Sequence, residues 1–300
     1  MVDAGFGQLN EYTASGVPIN LGIAYGRGVE EGLAASGNDV FFVQFNLNSI
    51  GKYSADTHQL NTSFLTGIIS PGGIATSGSD LFVASSGTGT VGAYTTSGAV
   101  ENATLIGRSQ DFNLGALAAA NGLLYVAYTK YLETSVVSKI STYTTSGVLV
   151  NDSLLTIPTT ISALAISNDN LFVSIQDNET IGEYTLSGEI VNASLLTGIS
   201  RPYGLAVMGD QLLVSTSTTI GGQSQGSVNA YTISNGQVTS SNALVSNLEL
   251  PEGIVTIATP EPSTYLLLSL AVNGIVFFQF RQKRRCLAAN SSKSNRAVSH

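Results

Sequence analysis

EYTASG at Glu11–Gly16 returns four more times along the chain: AYTTSG at Ala93–Gly98, TYTTSG at Thr142–Gly147, EYTLSG at Glu183–Gly188 and AYTISNG at Ala230–Gly236. A weaker copy, KYSAD, stands at Lys52–Asp56. The six Tyr that anchor the copies are Tyr12, Tyr53, Tyr94, Tyr143, Tyr184 and Tyr231, spaced by 41, 41, 49, 41 and 47 residues. Each lies among short apolar segments that alternate with polar ones and end on turn residues, which is strand patterning rather than helical periodicity. In Pro202–Leu250 the unit divides into GLAVMG, a turn at Gly209-Asp210, QLLVSTS, a loop, SVNAYTI, a turn at Ser234-Asn235-Gly236, and QVTSSNALV. The second segment recurs as FFV (Phe41–Val43), LFV (Leu81–Val83), LYV (Leu124–Val126), LFV (Leu171–Val173) and LLV (Leu212–Val214). Asp39, Asp80, Asn121, Asp169 or Asp210 stands in the turn before it, as suits residues that bond their own backbone and tolerate left-handed φ.

Four short strands per repeat of ~40–50 residues describe the blade of a β-propeller. The first strands read LAAS, GIATS, ALAAA, ALAIS, LAVMG and GIVTIA, small enough to converge on an axis. The Tyr of each unit is expected to fill space between neighbouring blades, with its hydroxyl near the edge. The ends are incomplete units. MVDAGFGQLNEYT aligns with FVASSGTGTVGAYT and so begins inside a second strand, while PEGIVTIA at Pro251–Ala258 is a first strand with nothing after it. The reading is an all-β, six-bladed propeller over residues 1–258: five whole blades and one composite. In the composite, three strands from the N-terminus meet one from the C-terminus, and Pro251–Ala258 pairs with Val2–Tyr12, removing the open edges.

Composition sets limits on the chemistry. Charged residues are 11% of the 300, and the chain holds two His and one Cys, too few for a His/Cys zinc cluster or a disulfide scaffold. All 20 acidic residues lie at or before Glu261, whereas six of the 12 basic residues follow it. The body is therefore acidic and repels nucleic acid. The tail is purely basic and has a separate task.

The repeat frame resembles NHL-type six-bladed propellers. The resemblance rests on Pro202-Tyr203-Gly204-Leu205-Ala206-Val207, Asp210 and Leu212-Leu213-Val214, with the same frame in the other copies. It spans residues 1 to about 258. The Asp and basic residues that usually follow the second strand in that family are largely missing here.

Beyond the last strand, Thr259–Thr264 reads TPEPST, followed by the apolar run YLLLSLAVNGIVFFQF (Tyr265–Phe280) and the basic cluster RQKRR (Arg281–Arg285). The run of 16 residues falls just short of a ~17–25-residue spanning helix, and polar Asn273 and Gln279 weaken it; the cluster is a positive-inside stop signal. The plainer alternative, a buried C-terminal helix, finds no groove in a closed propeller. The order of Pro260, Glu261 and Pro262, an apolar stretch, and then Arg281, Lys283, Arg284 and Arg285 resembles the PEP-CTERM sorting signal of Gram-negative bacteria. That resemblance implies export, an inner-membrane anchor, cutting near the motif by an exosortase-type membrane protease, and release to the cell surface or an exopolysaccharide matrix. Such signals usually stop at the basic cluster, whereas Cys286–His300 follow it here and are expected to be disordered. The opening MVDAGFGQLN has no basic start and no apolar core, and because it starts mid-strand an upstream segment is expected.

The expected function is non-enzymatic: an exported binding or scaffold protein for polysaccharide or another protein, with no cofactor and no catalytic or metal-binding residue assigned. The rival is a metal-assisted hydrolase or lyase, lactonase-like or streptogramin-lyase-like. A lactonase-like site needs carboxylates or amides at the axis, and the six first strands carry no Asp, Glu, Asn or His. A lyase-like site needs a placed His. His58 falls in a turn on the face opposite the usual ligand face, so His58→Ala is expected to leave any activity intact. The ligand face belongs to the loops joining second to third strands, longest at Lys130–Ser138 and Thr218–Gly226, and to the blade junctions. Its candidate residues are Arg108, Asp111, Lys130, Arg201, Tyr203 and Glu252, with Arg201 and Tyr203 suited to gripping a sugar or peptide. Glu30, Glu31, Asp111 and Glu252 are weighed as carboxylates for Ca²⁺, against the plainer reading of a solvated rim. Asn61, Asn102, Asn151 and Asn192 each begin Asn-x-Ser/Thr at one repeat position and are read as a turn feature rather than glycosylation sites.

Overall fold

Short strands joined by Gly, Asn and Asp turns build the described part of the fold, as the repeat demands. A computed structural model describes residues 7–26, 29–107, 113–220, 223–248, 250–257 and 275–276. Two strands, β1 (Gly7–Tyr12) and β2 (Pro18–Gly26), open the chain. The first blade follows: β3 (Val29–Ser36), β4 (Asp39–Gln44), β5 (Ser49–Ser54) and β6 (Gln59–Thr66). The second is β7 (Pro71–Ser77), β8 (Asp80–Ser85), β9 (Thr90–Thr95) and β10 (Val100–Ile106). The third is β11 (Asn113–Ala120), β12 (Leu123–Tyr131), β13 (Val136–Thr144) and β14 (Leu149–Ile157). The fourth is β15 (Ile161–Ser167), β16 (Asn170–Ile175), β17 (Thr180–Thr185) and β18 (Ile190–Thr197). The fifth is β19 (Pro202–Met208), β20 (Gln211–Ile220), β21 (Gln223–Ser234) and β22 (Gln237–Leu248). Each blade is an antiparallel meander in chain order, and the described residues contain no α-helix, only a 3-10 turn at Phe45–Leu47.

The chain thus forms five complete blades, not the six expected. The two ends build a further sheet of different make-up, with β23 (Val255–Thr256) and β24 (Ile275–Val276) in the order β2-β1-β24-β23. The N-terminus supplies two described strands rather than three. Val255–Thr256 pairs not with the N-terminal strand but with Ile275–Val276, and Ile275 in turn pairs with Tyr12. Two β-branched residues of the apolar tail, expected in a helix, therefore lie in a strand. Their backbone fills the gap between β1 and β23, where unpaired donors and acceptors would otherwise face each other. The rest of the expected helix, the linker 259–264 and residues 277–300 lie outside the described residues. Among the described residues no helix is long and apolar enough to cross a membrane.

The core is divided among the blade interfaces. Phe41, Ile50, Leu81 and Tyr94 pack the first blade on the second. Phe82, Val91, Leu124 and Val126 pack the second on the third. The same arrangement continues through Tyr125, Leu171 and Tyr184, then Phe172, Leu205 and Leu212. The end-built sheet packs on both flanks, Leu9 and Ile257 against Phe42 and Tyr53, and Tyr12 and Ile254 against Leu213 and Val228. All six repeat Tyr belong to these interface clusters, Tyr143 and Tyr231 being only partly buried. Around the axis β3, β7, β11, β15, β19 and β23 touch in sequence, and β23 touches β3. That convergence demands small residues. A methyl group at Gly32 would collide with the Gly72 carbonyl and Val43, and one at Gly73 with the Gly115 carbonyl.

Two repeated turns explain the sequence motifs. In Thr-x-Ser-Gly the Thr hydroxyl accepts from the backbone N–H four residues on, at Thr13, Thr95, Thr144 and Thr185. The Gly then takes positive φ, as at Gly98 with φ 98°. In Asn-x-Ser/Thr the Asn Oδ1 accepts the N–H two residues on, at Asn61, Asn102, Asn151 and Asn192. The motif is an Asx turn within the fourth strand, as its sequence position suggested.

Candidate binding site

At one end of the axis, the side carrying the loops between second and third strands, the innermost strands enclose a cavity of about 400 Å³. Its wall is largely backbone and small side chains, since Gly32, Gly73, Gly115, Gly204 and Gly253 sit at the axial positions. Its polar groups are Ser86, Asn113, Thr129, Thr160, Ser162 and Gln176. Several are held in place. Ser162 donates to the Pro202 carbonyl at 2.7 Å, tying the fourth blade to the fifth. Thr129 and Ser138 share a hydroxyl–hydroxyl bond of 2.9 Å. Thr159 donates to Asp177 Oδ2 at 2.9 Å, fixing the loop that presents Thr160. The Thr159 hydroxyl and Thr160 N–H together hold the Asp177 carboxyl below its usual range against the opposing effect of burial.

No charged side chain lines this cavity among its described residues. Phe45 and Tyr131 stand at its rim and are exposed, Tyr131 by 62%, and Leu47, Ile69 and Leu132 are exposed in neighbouring loops of the same side. The mouth offers neutral hydrogen-bonding groups beneath a partly aromatic rim. Its described lining residues include no acid, base or carboxylate set for a metal. No group of three His, Cys, Asp or Glu able to hold a metal ion occurs among the described residues.

Of the residues singled out from sequence, those described do not line this mouth. Lys130, Tyr203 and Glu252 adjoin in sequence its lining residues Tyr131, Gly204 and Gly253, but neither they nor Arg201 line it. Arg201 adopts φ 41° in the tight junction before β19. Arg108 and Asp111, Arg27, and the sorting-signal residues Pro260, Glu261, Pro262, Arg281, Lys283, Arg284 and Arg285 lie outside the described residues; Glu30 and Glu31 are placed in β3 by backbone alone. The two long loops are instead extended hairpins. β12 and β13 pair out to Tyr131–Val136, and β20 and β21 out to Ile220–Gln223. The extra residues lengthen strands, because Thr, Ser, Tyr and Val in these stretches favour a pleated ladder. Charge guided the sequence reading to the junctions. The axial hydroxyls and Tyr131 carried no such signal, although the Gly-rich first strands marked where they would converge.

The opposite face holds two buried carboxylates that the sequence reading passed over. Glu11, in β1, is buried, and Tyr53 from the first blade donates to its Oε2 at 2.8 Å. His58 Nδ1 lies 2.7 Å from the same hydroxyl and 3.9 Å from Glu11 Oε2, so His58 is part of an interface cluster rather than a free surface residue. Burial and the Glu11 hydrogen bond push the Tyr53 hydroxyl well above its ordinary range. Glu183 occupies the repeat position of Glu11, one residue before the Tyr, in β17.

Comparison with known proteins supports the fold. No protein-family model matches the chain, and no curated protein matches it in sequence. Among solved structures, a chain of the nidogen/laminin complex shares 18% identity with a TM-score of 0.59, over 79% of this chain and 93% of that one. The luciferin-regenerating enzyme shares 15%, with a TM-score of 0.55, over 84% and 91%. A gluconolactonase from Xanthomonas campestris shares 12%, with a TM-score of 0.56, over 84% and 88%. The all-β propeller is common to all three, and at these identities they speak for the fold alone.

Proposed function

We propose that the protein is a non-enzymatic binding protein whose axial mouth holds an uncharged polysaccharide. The observation that carries this reading is the cavity itself: hydroxyl and amide groups on rigid strands, no charged side chain among its described lining, and Tyr131 and Phe45 exposed at its rim. Sugar hydroxyls pair with such neutral donors and acceptors, and sugar rings stack on aromatic faces. Propellers of this shape include both a partner in the nidogen/laminin complex and enzymes such as the gluconolactonase, so the choice rests on the site and not on the likeness. A metal-assisted step would need carboxylates at the axis, which the described lining does not offer.

The same reading has the protein exported and sorted by its PEP-CTERM-like tail, anchored in the inner membrane until an exosortase-type protease cuts near Pro260–Ser263. The support is the order of Pro260-Glu261-Pro262, the apolar stretch and Arg281–Arg285. Binding of the full-length protein to a glycan array tests the first part: neutral glycans are expected to bind and Tyr131→Ala to weaken them about tenfold. Turnover of a lactone by the purified protein would overturn it. Mass spectrometry of released protein tests the second part, and an intact C-terminus at His300 would refute it.

A further inference from the structure

Between the fourth and fifth blades, on the face away from the axial mouth, a second cavity of about 320 Å³ lies among the hairpin turns. Glu183 lines it, 1% exposed as a residue. Its Oε1 accepts from Asn170 Nδ2 at 2.6 Å. Its Oε2 is buried and has no hydrogen-bond partner. The turn at Asn235-Gly236 backs onto that oxygen: a methyl group at Gly236 would stand 3.7 Å from it and crowd Val191 Cγ1 at 3.0 Å, so only glycine fits there. Asn192 pins the turn by donating to the Gly236 carbonyl at 2.9 Å. The remaining walls are of two kinds. Phe172, Val191, Leu212 and Ile233 are apolar, and Asp210 adds a second, exposed carboxylate.

A carboxylate taken out of water needs partners for both oxygens, and one lacking a partner calls for a positive group. The donor set narrows which one. Calcium or magnesium needs six or more oxygens close in, whereas this cavity is larger than an ion and half apolar. A guanidinium prefers to grip both oxygens of a carboxylate, and Asn170 already takes one of them. An ammonium is a point charge satisfied by a single oxygen, and its methylene stem suits apolar walls.

We propose that this cavity is a binding site for a primary alkylammonium group, with Glu183 Oε2 accepting from the ammonium and the stem lying against Phe172, Val191, Leu212 and Ile233. The chemistry is shared by a free alkyl diamine and by a lysine side chain of another protein.

Titration of the full-length protein by calorimetry tests the site, using 1,5-diaminopentane, a short end-capped peptide with one lysine, the same peptide with that lysine acetylated, and 1,5-pentanediol. At least one of the two ammonium probes is expected to bind, and neither neutral control. If only the diamine binds, the site takes small amines, and if the peptide binds, it takes a protein lysine. Glu183→Gln keeps the shape and the Asn170 contact and is expected to lower affinity about tenfold or more, the worth of one hydrogen bond to a charged group. Asp210→Asn, on the exposed rim, is expected to weaken binding less and serves if Glu183→Gln does not fold. No binding of either ammonium at millimolar concentration would overturn the proposal, as would equal binding of the diol or unchanged affinity in both variants. Glycan binding at the axial mouth is expected to be the same in both variants, so the two sites fail or stand separately.

Discussion

Glu11 and Glu183 occupy the same place in two copies of one repeat, and the molecule treats them in opposite ways. Each precedes its own repeat's Tyr, each side chain is buried at the interface with the next blade, and each lies by the hairpin between that next blade's third and fourth strands. At Glu11 the next blade supplies the Tyr53 hydroxyl and, five residues after that Tyr, His58. At Glu183 the residue five after Tyr231 is Gly236, which supplies no side chain. Both residues at that offset take positive φ, 53° and 68°. One interface closes on its carboxylate, and the other leaves one buried oxygen without a hydrogen-bond partner. A repeat fixes where a side chain points. What it meets is set by a residue some fifty positions away in the neighbouring copy.

The largest effect should come from breaking the closed interface. Glu11→Ala removes the acceptor of a charge-assisted hydrogen bond and leaves a hole beside fully buried Tyr53, and is expected to cost about 2–3 kcal/mol. Urea unfolding of the full chain measures it, and a loss near zero would show that the Glu11–Tyr53 bond contributes nothing. Glu183→Gln should do the reverse and stabilise the protein by about 1 kcal/mol at neutral pH, because it removes an incompletely partnered charge. Burial pushes the Glu183 carboxyl up, opposed by the Asn170 hydrogen bond. The folded protein therefore protonates Glu183 at a higher pH than the unfolded chain does, and its penalty fades as pH falls through the folded value. The stability advantage of Glu183→Gln should accordingly shrink on acidification, and an advantage that grew instead would reverse the assigned cause. Asp177, held low mainly by Thr159, acts in the opposite sense and is common to both proteins, so it cancels in the difference. The smallest effect belongs to His58→Ala. The imidazole is half exposed, and Tyr53 retains Glu11 as acceptor, so the expected cost is ~0.5 kcal/mol with glycan binding unchanged. Thermal melts beside the glycan assay check both.

Much of this was legible in the sequence. The Tyr spacing gave the blades, because each copy must bury its Tyr on a neighbour. The Thr-x-Ser-Gly and Asn-x-Ser/Thr turns could be read locally, because their hydrogen bonds stay within four residues. The ends were not legible. Where the terminal strands pair depends on which distant segment reaches them, and the alignment of MVDAGFG gave no hint that Ile275–Val276 would lie beside Tyr12. The long hairpins of β12–β13 and β20–β21 were mistaken for loops, since Ser- and Thr-rich stretches suit both. The axial mouth was missed at the level of side chains because hydroxyls and glycines carry little signal alone. The partners of Glu11 and Glu183 depend on interfaces that no single repeat contains.

The strand Ile275–Val276 has a mechanical consequence. It joins the two ends of the chain through one backbone pairing at Tyr12 and two at Val255 and Thr256. A force applied to the chain beyond Val276 falls first on those few pairings, whereas each of the five blades is a meander of covalently connected strands with long ladders. Tension on the tail should peel this seam at low load and leave the blades standing, so the ring gives way first where its two ends meet.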